Sequence, residues 1–375
     1  LAVAGAIAYC NATSSARLAA IYPESGGTYV YARRELGAFW GYLAGMCFVA
    51  GKLASCAAMA LTFAHYTAPG LARPLAVGAV VALSAVNIGG VEKTARLTAA
   101  IVAVVLAGLA AFVAAALLGG AVSADNVLDG GHGGVLSVLR SAGSLFFAFA
   151  GYARIATLGE EVRDPERTIP RAIPIALAVT LVVYAVVALA ALLAAGPDVL
   201  SASAAPLRAV LAHGSHSELQ PIVQVAAAVA SLGVLLSLLA GVSRTVFAMA
   251  ANRELPGLLA AVHPRTRVPH RAEVAVGLAV AAVVAIADVR SAIGFSSFCV
   301  LVYYALANAS ALALGSGARR HAAVAVGGLV GCLVVAVTLP AESVVGGMAV
   351  VVASALLFAA RARTSGGSRS SGGSV

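Results

Sequence analysis

The sequence is poor in charge. Only 10% of its 375 residues are charged, while 61% are apolar and the mean hydropathy is +0.98. This balance excludes an ordinary soluble domain. The short polar and apolar alternation typical of membrane barrels is also missing. Continuous runs of Ala, Val, Leu and Gly, about 17 to 30 residues long, instead predict helices that cross a membrane.

The cysteines indicate neither a disulfide framework nor a metal site. All five fall inside apolar segments, with no pairing pattern and no neighbouring histidine, and we interpret them as small core residues (Cys10, Cys47, Cys56, Cys299 and Cys332). No residue constellation of a hydrolase or kinase is visible either. We therefore expect no metal, no cofactor and no enzymatic activity.

Breaks at Gly, Pro and charged clusters divide the chain into about eleven predicted helices. These are at about 1–21, 38–66, 74–90, 94–119, 135–160, 169–195, 220–250, 272–289, 291–314, 321–340 and 342–361. The longest connectors, near 120–134 and 196–219, are too short for a separate domain. We therefore predict one all-α transmembrane domain over 1–363, and a disordered Gly/Ser-rich tail over 364–375.

The basic residues are unequally divided between alternate loops. If the loop after the first predicted helix is cytoplasmic, the opposite side holds few basic residues, namely Arg73, Arg140, Arg208 and Arg290. This positive-inside bias predicts a multi-pass protein of a cell membrane, and we expect a bacterial cytoplasmic membrane. It also accounts for the net charge of +9 without nucleic acid, since the charge is spread over many short loops.

Three motifs carry more specific information. They are ARLAAIYPESGGTYVYARRELG at 16–37, FFAFAGYARIATLGEEVRDPERTIPRAI at 146–173, and SRTVFAMAANRELPGLLAAVHPRTRVPHRA at 243–272. In this order among apolar helices they resemble the amino acid permeases of the amino acid, polyamine and organocation (APC) superfamily. The resemblance implies a secondary transporter with inverted repeats, in which the first helix of each repeat is broken at mid-membrane.

The resemblance also implies a helix that is not in the sequence. Only 22 residues precede Pro23, which closes the second helix in the family. We therefore expect that the predicted helices are the family's second to twelfth and that the first lies outside this sequence. The alternative is an inactive pseudo-permease.

The resemblance places a substrate site in the family's sixth helix. Gly151 and its small neighbours allow the backbone to leave helical geometry, so that free carbonyl and amide groups can bind a zwitterion. The predicted binding residues are Phe147, Ala148, Phe149, Ala150, Gly151 and Tyr152, with Phe147 as a gating aromatic. The alternative is a tightly packed helix crossing with no ligand.

The charges near this motif bear on the substrate. Where relatives that handle basic substrates carry an acid, this sequence has Ala153 followed by Arg154. A second cation, Lys52, lies in an apolar run. Both repel a cationic side chain, so we expect a neutral or anionic amino acid; a related amine or polyamine is the alternative.

Lys52 is also a candidate for coupling. It falls halfway along its predicted helix, about 20 Å from either end, where a lysine cannot easily reach the headgroups. It is predicted to carry protons or bind the substrate carboxylate; the alternative is a structural lysine. Val105 replaces a lysine of proton-coupled relatives. We expect proton-coupled symport or antiport, with sodium left open, and Ser297 as a further substrate contact or a packing residue.

Four charged residues near cytoplasmic helix ends form a candidate gate. They are Arg17, Glu160, Glu161 and Arg244. An ion-pair network among them would close the inner side and open as the helices move. The alternative is that both arginines extend to the lipid headgroups.

Overall fold

The computed structural model describes residues 1–22, 26–90, 95–119, 122–128, 134–151, 164–214, 217–315 and 319–367. Its helices are α1 (Ala2–Ile21), α2 (Thr28–Glu35), α3 (Ala38–Thr67), α4 (Ala72–Ile88), α5 (Ala95–Leu118), α6 (Asp125–Leu128), α7 (Val135–Phe149), α8 (Pro165–Ala202), α9 (Pro206–His213), α10 (Gln220–Ala251), α11 (His270–Ile286), α12 (Val289–Ala313), α13 (Arg319–Thr338) and α14 (Ala341–Gly367). Within these ranges no strand interrupts the helices, which confirms the predicted all-α class.

Eight of the described helical segments are long and apolar enough to cross a membrane. They are Ala38–Thr67, Pro69–Ile88, Thr98–Leu118, Arg167–Ala202, Ser217–Ala251, Val289–Ala313, Arg319–Thr338 and Ala341–Arg361. Val135–Phe149 is a shorter apolar helix. Because a bilayer core about 30 Å thick needs about 20 apolar residues per helix, this set defines a multi-pass membrane protein.

Each predicted helix has an observed counterpart. The helix predicted over 135–160 ends at Phe149, and α14 continues to Gly367, four residues into the predicted tail; the other differences lie in the connectors. The loop over 22–37 contains α2, and the connector after 195 contains the end of α8 and all of α9. Gly196 lies within α8 at φ 73° and ψ 171°, a conformation that glycine tolerates and other residues rarely adopt. The chain therefore bends at Gly196 while helical segments continue on both sides.

The chain divides into two compact units. Unit 1 consists of Leu1–Gly51, Leu136–Leu177 and Gly294–Val375; unit 2 consists of Lys52–Val135 and Ala178–Ile293.

Unit 1 is built on close packing of α12 and its neighbours. In its core, α1 packs against α13. A Cβ atom added at Gly347 of α14 would lie 1.9 Å from Cδ1 of Phe298 in α12, so only glycine admits the ring there. The aromatic rings of Phe39 in α3 and Phe358 in α14 also meet edge to face, with centroids 5.4 Å apart. Both α12 and α3 thus pack closely against α14.

A neutral polar network joins three helices of unit 1. Asn308 of α12 donates through Nδ2 to Asn11 Oδ1 in α1 (2.6 Å) and to the Tyr304 carbonyl (2.9 Å). Ser14 Oγ donates to Asn308 Oδ1 (2.7 Å), and Cys332 of α13 contacts Asn11 Oδ1. Because both asparagines are fully buried, these bonds replace part of the water that their amides lose, while Asn11 Nδ2 has no hydrogen-bond partner among the described residues.

Unit 2 is built around α10. This helix packs against α4, α5 and α11, and α11 packs in turn against α4. A Cβ atom added at Gly108 of α5 would lie 2.3 Å from Ala226 Cβ in α10, so the two backbones cross closely. Small residues permit such crossings between membrane helices, where dispersion contacts supply much of the stability.

Candidate functional site

The predicted break in the sixth-helix motif coincides with the end of α7. The helix ends at Phe149, and the Ala150 amide donates to the Phe147 carbonyl (3.2 Å) in a turn that includes Gly151. A Cβ atom at Gly151 would meet no heavy atom of the described residues within 4 Å. The backbone thus leaves helical geometry at the FAFAG run, next to open space.

Unit 1 holds the last turn of α7 in place. Phe146 is fully buried and meets Tyr304 of α12 edge to face, with centroids 5.9 Å apart and planes at 82°. Phe149 is also buried, whereas Phe147 is half-buried and Ala148 is exposed. One face of this turn is therefore anchored in the core of unit 1, and Ala148 lies on an exposed face.

Ser297 brings an unused hydroxyl to the middle of unit 1. The residue is fully buried in α12, and its Oγ has no hydrogen-bond partner among the described residues. Nearby, a Cβ atom at Gly51 of α3 would lie 2.8 Å from Cys299 Cβ and 3.4 Å from the Ser296 carbonyl oxygen. The backbones of α3 and α12 therefore approach closely at the level of Ser297.

Lys52 lies at the centre of α3, as the sequence predicted. It is 8% exposed, and it follows Gly51 directly. The helix Ala38–Thr67 extends about 20 Å on either side of it, at 1.5 Å per residue. Its ammonium is thus a buried cation at mid-helix, which in membrane proteins commonly marks a functional position.

The predicted gate is described only in part. Arg17 is half-buried in α1 of unit 1, and Arg244 is exposed on α10 of unit 2. Glu160 and Glu161 lie outside the described residues, as does Tyr152 of the predicted substrate site. The ion-pair network stays a prediction.

The segment after α1 contains contacts that sequence reasoning missed. Tyr22 Oη donates to Glu35 Oε1, and this carboxylate raises the pKa of Tyr22. The Thr28 amide donates to Tyr303 Oη (3.0 Å), which ties the start of α2 to α12. Both bonds join positions that are not adjacent in sequence, so no local pattern indicated them.

A buried carboxylate in unit 2 was also missed. Glu273 of α11 is 1% exposed, and its partners Asn87 and Ser243 come from α4 and α10. A signal was present in the sequence, since Glu273 is a lone acid at the start of an apolar run. It follows His270 and Arg271, and such a run of polar residues is more typical of a solvated helix end.

The helices that are long and apolar enough to cross a membrane define a multi-pass membrane protein. The family model for amino acid permeases matches residues 1–360, and the chain belongs to that family. The protein is therefore a multi-pass membrane transporter of the APC superfamily, as its motifs predicted.

Individual relatives extend the comparison. An uncharacterized transporter of Mycobacterium tuberculosis is 56% identical over 351 residues, covering 93% of this chain and 80% of the relative. The methylthioribose transporter of Bacillus subtilis is 26% identical over 287 residues, 70% of this chain and 60% of the relative. The chloroplastic cationic amino acid transporter 7 of Arabidopsis thaliana is 25% identical over 339 residues, which cover 82% of this chain and 58% of the relative.

Proposed function

We propose that the protein is a secondary active transporter that moves neutral or anionic amino acids across the cytoplasmic membrane by alternating access, coupled to protons. The observation that carries this proposal is the end of α7 at Phe149, followed by the open turn at Ala150 and Gly151. No catalytic chemistry is part of the proposal.

The end of α7 offers a suitable site for the substrate ammonium. The C-terminal end of a helix carries the negative end of the helix dipole, which favours a cationic group. In α7 this end lies at Phe149, and Phe147 beside it is half-buried. We propose that the negative end of α7 attracts the α-ammonium of the substrate and that Phe147 covers the bound substrate.

The buried cation at Lys52 favours a substrate without net positive charge. Like charges repel one another where the effective dielectric constant is low. Lys52 is 8% exposed, so solvent screening is limited. We propose that Lys52 binds the substrate carboxylate or exchanges the coupled proton, and that Ser297 contributes its hydroxyl.

The named relatives support a second candidate. Several are cationic amino acid transporters, and one transports methylthioribose. A cationic amino acid or a related amine is therefore the competing substrate class. Relatives that handle basic substrates carry an acid shortly after the glycine that corresponds to Gly151, whereas this sequence has Ala153 there.

Uptake into proteoliposomes tests the proposal. The protein is reconstituted and supplied with labelled neutral, acidic and basic amino acids and amines, with imposed proton or sodium gradients. We expect saturable uptake of a neutral or acidic amino acid driven by an inward proton gradient. Arginine uptake that outcompetes neutral amino acids would favour the competing class. An absence of both uptake and exchange for every compound would indicate a pseudo-permease.

Substitution of Lys52 sharpens this test. Lys52→Met keeps the length of the side chain and removes the charge. A gradient of one pH unit can drive about ten-fold accumulation for one coupled proton, and we expect the variant to lose it. Arg73→Gln removes an exposed cation near the start of α4 and serves as the control. If Lys52→Met still accumulates substrate with the pH gradient, Lys52 is not the proton carrier.

A further inference from the structure

Glu273 lies buried between three helices of unit 2. It occupies the first turn of α11 and is 1% exposed. Asn87 Nδ2 of α4 donates to Glu273 Oε1 (2.8 Å) and also reaches the Leu236 carbonyl of α10 (3.2 Å). Ser243 Oγ of α10 hydrogen-bonds with Glu273 Oε2. Both carboxyl oxygens thus have a partner.

The hydrogen-bonding partners of this carboxyl are neutral among the described residues. The charged or titratable groups of the described elements packed around it are Arg73 at the start of α4, the exposed Arg244 on α10, and half-buried His270 and exposed Arg271 on α11. The turn before α11 adds His263, whose ring meets that of His270 with centroids 5.5 Å apart. The turn Gly257–Ala260 contributes none. A carboxylate without a cationic partner is costly to bury, whereas a protonated carboxyl is not.

Ser243 allows the carboxyl to exist in both forms. Its Oγ has a single hydrogen but lies near two acceptors, Glu273 Oε2 and the Ala240 carbonyl oxygen (3.2 Å). When Glu273 is ionised, the hydroxyl donates to the carboxylate. When Glu273 is protonated, the carboxyl donates to Ser243 Oγ, and the hydroxyl turns to donate to Ala240. Glu273 Oε2 thus keeps a hydrogen bond to Ser243 in either form, and only one hydroxyl rotates.

Two polar atoms without a hydrogen-bond partner among the described residues lie on α4 and α11, the helices that contain Asn87 and Glu273. His270 stands three residues before Glu273, and its buried Nδ1 has no hydrogen-bond partner among the described residues. Ser84 Oγ, on the α4 turn adjacent to Asn87, also lacks one there, and a Cβ atom at Gly277 would lie 2.7 Å from it. Residues three or four apart share a helix face, so these groups form a row along α4 and α11.

We propose that Glu273, with Ser243 and Asn87, is a proton-binding site that is loaded and emptied during transport. A proton that arrives from the side of His270 forms an O–H bond with the carboxylate and converts it to a carboxylic acid. This O–H bond breaks again when the proton leaves. The binding of a proton follows from this geometry alone, whereas its part in transport rests on the function proposed above.

Infrared difference spectroscopy tests proton binding without any substrate. The purified protein is compared between acidic and alkaline buffer, with and without sodium. We expect a carboxylic acid C=O band in the wild type that is missing in Glu273→Gln and shifted in Ser243→Ala. Glu342→Gln, which removes an exposed carboxyl at the start of α14, keeps the band.

The same spectra can overturn the proposal. A band that is unchanged in Glu273→Gln would belong to another carboxyl. A carboxylate signal that responds to sodium and not to pH would make the cluster a sodium site. If Glu273→Gln does not give a monodisperse protein in size-exclusion chromatography, the shift in Ser243→Ala decides the question, and an unshifted band refutes the hydroxyl contact.

Transport measurements test the coupling role. We expect Glu273→Gln to lose the roughly ten-fold accumulation per pH unit that one coupled proton supports, while it retains exchange of labelled for unlabelled substrate. Accumulation equal to that of the wild type would refute coupling through Glu273. If the wild type moves no substrate at all, the proposed transport function fails, and the infrared result still decides whether Glu273 binds a proton.

Discussion

Each unit of the molecule buries a polar network, and the two networks differ in one respect. In unit 1, Asn11, Ser14 and Asn308 are uncharged at every physiological pH. In unit 2, Asn87 and Ser243 surround a carboxyl, Glu273. A neutral network can fix the register of its helices but cannot respond to protons, whereas one titratable group adds that response. Burial of polar groups therefore serves different purposes in the two units.

The largest effect is expected from breaking the neutral network. Asn308→Leu has a similar volume but leaves the buried Asn11 and Ser14 without their partner. Each unsatisfied group costs about 1–3 kcal/mol, so we expect a loss of roughly 3 to 5 kcal/mol in the free energy of unfolding. Chemical denaturation in detergent measures it.

Ser310→Ala is the matched control for this change. Ser310 is also fully buried in α12, but it bonds only to the Leu306 carbonyl within its own helix (2.8 Å). We expect a loss of less than about 1 kcal/mol. Equal losses in the two variants would show that the bonds between helices add nothing beyond local ones.

A smaller effect is expected from overpacking. Gly347→Ala places a methyl group against the buried ring of Phe298 in unit 1, and such insertions cost about 1–3 kcal/mol. Gly78→Ala in α4 of unit 2 is the control, because its Cβ meets nothing within 4 Å. There we expect a gain of up to about 1 kcal/mol from helix propensity. Thermal unfolding in detergent measures both changes. Equal melting temperatures for the two variants would contradict the expected difference.

The smallest effect is expected at Tyr22. Tyr22→Phe removes a half-exposed hydrogen bond to Glu35, with a loss of roughly 0.5 kcal/mol after solvent screening. Because the pKa of Tyr22 is raised in the folded state, this stabilisation is complete below the unfolded pKa of about 10 and disappears as pH rises through the folded pKa.

The pH dependence of melting measures the Tyr22 contribution. The difference between wild type and Tyr22→Phe is expected to be constant near neutral pH and to vanish at strongly alkaline pH. Tyr9→Phe, at a side chain 47% exposed, is the control and leaves the profile unchanged. A difference that grows with alkaline pH would contradict the assigned bond.

The helices were largely predictable, whereas the polar networks were not. Apolar length predicts membrane helices, but it extended the helix that begins at Val135 to residue 160, beyond the observed end at Phe149. The partners Asn87 and Glu273 are 186 residues apart, and Asn11 and Asn308 are 297 apart. Their pairing depends on how helices pack, which the pattern of a single helix does not contain.

Ser243 has a consequence for the speed of the transport cycle. Rotation of a hydroxyl takes picoseconds to nanoseconds, whereas collective movement of helices takes microseconds to milliseconds. Proton transfer at a carboxyl whose only moving part is one hydroxyl would therefore be complete long before the helices rearrange. Turnover in heavy water should accordingly match turnover in ordinary water closely, since the slow step breaks no bond to hydrogen.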